Sequence, residues 1–187
     1  MKLLDRFIQN WRMRKALRYV GVHARVIDIG AHHGELFQAL GNRLQTGFGI
    51  EPIINTPIKS YAYVIHPGFF PAVRPPDGEW DAIVMLAVLE HVPRADQIAL
   101  VKACHELLKI GGRVIITVPS EAVDGILAIL KFMRLIDGMS LEEHFGFKPD
   151  ETPRLFSLPK FKLIQHERFQ MGLNHLYVFE KTAERAV

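Results

Sequence analysis

The chain has 187 residues, 49% of them hydrophobic and 23% charged, with a formal net charge of +3. That length suits one domain with a sizeable core, and the single cysteine, Cys104, excludes an internal disulfide. No run approaches the ~20 apolar residues that cross a bilayer, and the charged opening lacks a signal-peptide core, so a cytoplasmic protein is expected.

From the amino terminus, Lys2, Arg6, Arg12, Arg14, Lys15 and Arg18 stand against one acid, Asp5, so the basic character of the chain is local. Leu4, Phe7, Ile8, Trp11, Met13 and Leu17 fall mostly on one helical stripe, which predicts a basic amphipathic helix over residues 1–20. The stripe is expected to dock on the rest of the chain with the charges in water; the same pattern also permits a membrane surface or an anionic substrate.

Residues 25–52 are the most informative stretch. Val26, Ile27 and Ile29 form a β-branched run that stops at Gly30, an amphipathic helix opens after Gly34, and a second strand over 47–50 ends on Glu51. An acid about 20 residues beyond the first glycine is where a doubly wound fold sets a carboxylate against ribose hydroxyls. Glycine gives the turn free φ and lets a ligand approach the main chain. A dinucleotide turn wants G-x-G-x-x-G; Asp28-Ile29-Gly30-Ala31-His32-His33-Gly34 lacks the second glycine, which disfavours NAD.

Residues 61–67 read as a third strand, followed by Gly68-Phe69-Phe70 with no acid until Asp77. A fourth strand starts at Trp80-Asp81 and leads into Leu89-Glu90-His91-Val92. A helix over 96–109 carries Cys104, expected as a small core residue, and Gly111-Gly112 opens a fifth strand that runs to Pro119. Residues 125–136 are nearly apolar all round and must be covered as core, a dimer face or a lid; a polar and aromatic loop over 143–150 holds His144. Alternating runs over 161–168 and 174–180 supply two last strands. His23, His32, His33 and His66 lack metal-site spacing, so no metal is expected.

Three of these segments, in this order, resemble the class I S-adenosylmethionine-dependent methyltransferases over about residues 20–119. Asp28, Gly30 and Gly34 match the first motif, with His32, a residue type that tolerates positive φ, in place of its middle glycine. The Trp80-Asp81 strand with its Leu-Glu-His-Val sequel, and Leu108-Lys109-Ile110-Gly111-Gly112, match the later ones. The third strand departs from many relatives in lacking an adenine-binding acid.

The resemblance implies an α/β, Rossmann-like sheet of about seven strands, mostly parallel with an antiparallel last strand. It implies a single methyltransferase domain over 21–187, with 120–160 as a lid or acceptor-binding insertion. S-adenosylmethionine is then the cofactor. Asp28, Gly30, Ala31 and Gly34 shape its methionine end, Glu51 takes the ribose, Ile53 packs on adenine with Phe69 or Phe70 nearby, and the backbone of Leu86 and Ala87 contacts the methionine end. His91 and His144 are the candidate catalytic bases. Each has a plainer alternative: Asp28 as a helix cap, Ile53 and the phenylalanines as core, His91 as a loop-closing residue. The fourth strand lacks the Asn/Asp-Pro-Pro-aromatic motif of base-amino methylation, so a small-molecule acceptor (sugar, lipid-linked intermediate or other metabolite) with O-methylation is favoured over nucleic acid. A homodimer and a membrane contact through the first helix are permitted. A non-catalytic S-adenosylmethionine-binding or regulatory protein of the same fold is the alternative function.

Overall fold

Short runs of β-branched and aliphatic residues, each ended by glycine, proline or a polar turn, build a central sheet. The computed structural model describes residues 3–75, 78–120, 148–157 and 161–183. Helix α1 (Leu3–Leu17) precedes β1 (Ala24–Ile29), α2 (Glu35–Leu40), β2 (Leu44–Glu51), β3 (Ile58–Lys59), β4 (Tyr63–Pro67) and β5 (Trp80–Leu86). Helix α3 (Arg94–Leu107), β6 (Leu108–Pro119), α4 (Thr152–Leu155), β7 (Phe161–Phe169) and β8 (Asn174–Lys181) follow. The order across the sheet is β3-β4-β2-β1-β5-β6-β8-β7. Strands β4, β2, β1, β5 and β6 are mutually parallel, and β8 runs antiparallel between β6 and β7.

Among the described residues the sheet has eight strands where about seven are expected. The extra one, β3, is a two-residue edge strand antiparallel to β4, too short to leave a period in the sequence. The third expected strand also starts later, at Tyr63. Ser60 N–H donates to the Tyr63 carbonyl at 2.9 Å, which makes the exposed Tyr61 part of the hairpin turn rather than the strand.

Side chains alternate across the sheet and define two apolar layers. On one face Ile27, Ile29, Ile83, Met85, Ile116 and Tyr177 meet α3, whose Leu100, Val101, Cys104 and Leu107 recur at helical spacing. Cys104 is fully buried there and its burial pushes the thiol pKa up, as suits a core residue. On the other face Val26, Val84, Ile115 and Val178 meet Leu36, Phe37 and Leu40 of α2 and Ala16 of α1. Among the described residues no helix is long and apolar enough to cross a membrane.

Helix α1 docks, but on a different face from the one its apolar stripe predicts. Arg12 and Ala16 are buried, while Phe7, Trp11 and Arg14 on the helix, and Arg18 just beyond it, are exposed. Polar contacts set this orientation. Arg43 donates to the carbonyls of Leu17, at 2.9 Å, and Val20; Gln170 donates to the Ile8 carbonyl at 3.1 Å; Lys15 pairs with Glu167. These tether the middle and the carboxyl end of the helix, and small Ala16 allows the close approach.

Candidate functional site

Strand order reverses between β1 and β5, so the crevice beyond their carboxyl ends is where this fold accepts ligands. The turn leaving β1 fills it. Gly30 and Ala31 donate their N–H groups to the Ile50 carbonyl at 2.9 and 3.1 Å, which ties the turn to the neighbouring strand β2. Gly30 has φ +80°, and a Cβ built on it meets Val88 at 2.6 Å. Gly34 has φ +86°, and its Cβ would meet the Tyr63 ring at 2.9 Å. Glycine is required at both for conformation and for space. His32, where the family pattern has a glycine, takes φ 46°, so the turn keeps its left-handed residue without glycine.

Glu51 braces this turn from the end of β2. Its carboxylate accepts the His32 N–H at 2.8 Å and the Ile53 N–H at 3.1 Å, one bond to each oxygen, and the residue is only 5% exposed. Its side chain is therefore a strut for the turn. Asp28 lies one residue before the end of β1 and is buried on the α1 face. Burial, reinforced by Glu35 and Glu51, holds its carboxyl pKa well above the usual range. It does not cap α2: the N-cap is Gly34, with no side-chain hydrogen bond, and Glu35 instead takes the His33 N–H at 3.1 Å and sits 2.9 Å from His32 Nδ1.

A cavity opens over the turn, walled by Asp28, Gly30, Glu35 and Leu86 from the sheet side and by Gln9 and Arg12 from α1. Ile53 and Phe69, after β2 and β4, are 81% and 72% exposed, so neither is core; Phe70 is core. These two segments meet through the Gly68 N–H, 3.3 Å from the Glu51 carbonyl. Ala87 has φ 57° just beyond β5, and its N–H donates to the Thr117 carbonyl at 2.9 Å. His91 closes a short helical turn, Leu89–His91, with its N–H 2.9 Å from the Val88 carbonyl. His144 lies outside the described residues.

The structure thus brings Asp28, Gly30, Ala31 and Leu86 to one cavity and sets Ile53 and Phe69 at adjoining strand ends. Among the walls that the expected site residues omit are Gln9, Arg12 and Glu35. Arg12 reads as one more surface charge in a basic segment; the available signal is its four-residue spacing from small Ala16, which marks a docked helical face.

A sequence profile described as a methyltransferase domain matches residues 3–169. No curated protein matches the sequence. Among solved structures, the complex of the Haloferax volcanii Trm112 methyltransferase activator with its methyltransferase matches with TM-score 0.72 at 15% identity, over 94% of this chain and 91% of that one. NodS, an N-methyltransferase of Bradyrhizobium japonicum WM9 solved with S-adenosylhomocysteine, matches with TM-score 0.67 at 12% identity over 97% and 89%. The 1,6-didemethyltoxoflavin-N1-methyltransferase of Burkholderia thailandensis does so with TM-score 0.67 at 16% identity over 96% and 82%. Identities this low speak for the fold, and the profile match covers most of the sequence: the chain belongs to the methyltransferase-domain family, with the fold of the class I S-adenosylmethionine-dependent methyltransferases.

Proposed function

We propose that this protein transfers a methyl group from S-adenosylmethionine to a hydroxyl oxygen of a small molecule, such as a sugar, a lipid-linked intermediate or another metabolite. One observation carries the cofactor assignment: a left-handed glycine turn braced by a strand-end carboxylate, with bare apolar side chains on the next two strand ends. The donor set fits a nucleoside joined to an amino acid. A carboxylate has about four lone-pair sites, so Glu51 keeps acceptor capacity for ribose hydroxyls beyond its two backbone bonds. Ile53 and Phe69 offer apolar faces for adenine, in place of the acid missing after the third strand. Gly30, Ala31 and Gly34 form the turn that would face the methionine part, Asp28 stands under it, and the backbone of Leu86 and Ala87 borders the same end. Two of the structural neighbours named above were solved with S-adenosylhomocysteine, which supports the assignment.

The sulfonium, once bound, supplies a methyl group already activated for in-line transfer, so the protein's remaining tasks are positioning and proton removal. Leu86, Ala87 and the turn after β5 border the place where an acceptor oxygen must lie. We assign its proton to His91, since a neutral imidazole accepts one near neutral pH, with His144 as the second candidate. The outer stripe of α1 with Phe7, Trp11 and Arg14 exposed, continued by exposed Arg18 just beyond it, supports contact with an anionic membrane surface. A lid over 120–160 and a homodimer through 125–136 are proposed on sequence alone. Mass spectrometry of the purified protein for co-purified S-adenosylmethionine or S-adenosylhomocysteine, then a methyl-release screen over hydroxyl acceptors, tests the proposal. Neither ligand found and no release from any acceptor pool would contradict it.

A further inference from the structure

Four polar side chains share one face of the β7–β8 ribbon. His166 stands opposite Tyr177 and Arg168 opposite His175 in the antiparallel register, and residues two apart on a strand point the same way. That face is the α3 one, because His175 also pairs with Val118 and Tyr177 with Ile116, both in the apolar layer under α3. Val118 lies one residue from the end of β6, so the patch sits at the carboxyl ends of the parallel strands. Thr117, next to it, accepts the Ala87 N–H; two interstrand spacings, roughly 10 Å, therefore separate β8 from the turn after β5. Helix α1 and Asp28 lie on the other face of the sheet.

The rings are connected. His166 Nε2 is 3.1 Å and the Tyr177 hydroxyl 3.2 Å from His175 Nδ1, and His166 stacks on Tyr177 with ring centres 4.3 Å apart. His175 and Tyr177 are buried, whereas His166 and Arg168 are exposed. Two neutral imidazoles joined through one proton present one outer nitrogen that donates and one that accepts, and neither outer nitrogen has a partner among the described residues. Arg168 makes no hydrogen bond or ion pair among these residues either; its neighbour Glu167 pairs with Lys15 of α1 on the other face. Burial first, and then the charge of Arg168, holds the pKa of both histidines below the ordinary value, while Asp150, from the turn before α4, acts the other way and more weakly. The net field at both rings is positive. A free guanidinium beside two imidazoles suits an oxyanion, since the fork gives paired hydrogen bonds and the bare imidazole nitrogen takes up a proton as the anion arrives.

Resting on the methyltransferase reading above, we propose that Arg168, His166 and His175 hold an oxyanion of the methyl acceptor, a phosphoryl or carboxylate group, with Tyr177 as the positioning residue that fixes the His175 ring. The acceptor is then an anionic hydroxyl compound, long enough to reach roughly 10 Å from this patch to the turn after β5.

Proton NMR of the histidine rings, with sodium phosphate, sodium succinate and sodium chloride at matched ionic strength as separate titrants, reads the pocket. Phosphate or succinate is expected to raise the pH at which His166 and His175 titrate while His23 and His66 stay put, and the one that acts at lower concentration tells phosphoryl from carboxylate. The charged and titratable groups that act on these rings are Arg168, Asp150, Tyr177 and each other, so Arg168→Gln should raise both titrations in chloride and abolish the response to the other two salts. Equal responses to all three salts would mean screening alone and overturn the pocket. The acceptor role is read by methyl release from hydroxyl compounds split by anion exchange. Release from the retained fraction is expected, lowered about 10-fold or more by Arg168→Gln, with S-adenosylhomocysteine affinity within about 2-fold of wild type. Release from the unretained fraction alone, no release from the retained one, or release indifferent to Arg168→Gln would overturn the acceptor role. A chain that answers phosphate but binds no S-adenosylhomocysteine would overturn the methyltransferase reading and keep the anion pocket; one that binds S-adenosylhomocysteine and answers neither anion would overturn this proposal alone.

Discussion

Replacing Glu51 by alanine should damage the fold and the site at once. The carboxylate is buried and accepts two main-chain N–H groups, from His32 in the turn after β1 and from Ile53 beyond β2. Hydrogen bonds to a charged group contribute about 1.5–3 kcal/mol each, and both of these are part-buried. Taking the lower figure because the turn can relax towards water, Glu51→Ala should cost roughly 3 kcal/mol. For a chain of this size that lowers the melting temperature by about 6–12 °C. Glu51→Gln keeps one good acceptor but turns an NH2 group towards the second amide, so about half the loss is expected. Urea unfolding gives the stability term, and calorimetry with S-adenosylhomocysteine at a temperature where both chains are folded gives the binding term. A Glu51→Ala protein that melts with the wild type would refute the strut; one that is destabilised but binds with unchanged affinity would remove the ribose role while keeping the strut.

Gly30→Ala places a Cβ 2.6 Å from Val88 at φ +80°, so it should destabilise by about 2 kcal/mol or more, and Val88→Ala in the same chain should restore only the steric part; full rescue in thermal melting would show that backbone conformation is not the constraint. Asp28 has its folded pKa raised above the unfolded value, chiefly by burial and then by Glu35 and Glu51, so the folded state holds the extra proton and stability falls as pH rises from about 4 through the folded pKa. Asp28→Asn should remove that slope and be more stable than wild type near neutral pH in the ligand-free protein; an Asn variant with the same pH profile would assign the slope elsewhere. Phe7→Ser with Trp11→Ser should leave melting nearly unchanged, since both side chains are exposed, and abolish co-sedimentation with phosphatidylserine vesicles; retained binding would remove the membrane contact through this stripe.

The carboxyl-end crevice is legible in the sequence because its parts are local. A β-branched run, a glycine turn and a short helix repeat rules that act within a few residues, and Gly30, Gly34 and the span to Glu51 follow from them. What escapes is set by contacts between distant segments. Helix α1 shows a stripe centred on Phe7 and Trp11, yet Arg43, Gln170 and Glu167 turn Arg12 and Ala16 inward instead, and no periodicity within the helix carries those partners. Glu51 is placed rightly at the strand end, whereas its burial depends on where the His32 and Ile53 amides fall in space. Strand β3 leaves no signal because two residues cannot show a period. His91 sits after β5 as its spacing implies, and the 125–136 and His144 expectations fall outside the described residues.

The most direct test of the central claim is calorimetric titration of the unmodified protein with S-adenosylhomocysteine and, separately, with NAD. The turn has His32 where a dinucleotide turn has its second glycine, and its main chain is braced by Glu51. Micromolar binding of S-adenosylhomocysteine with no detectable binding of NAD is the predicted result. Tight NAD binding in the absence of any S-adenosylhomocysteine binding would contradict it.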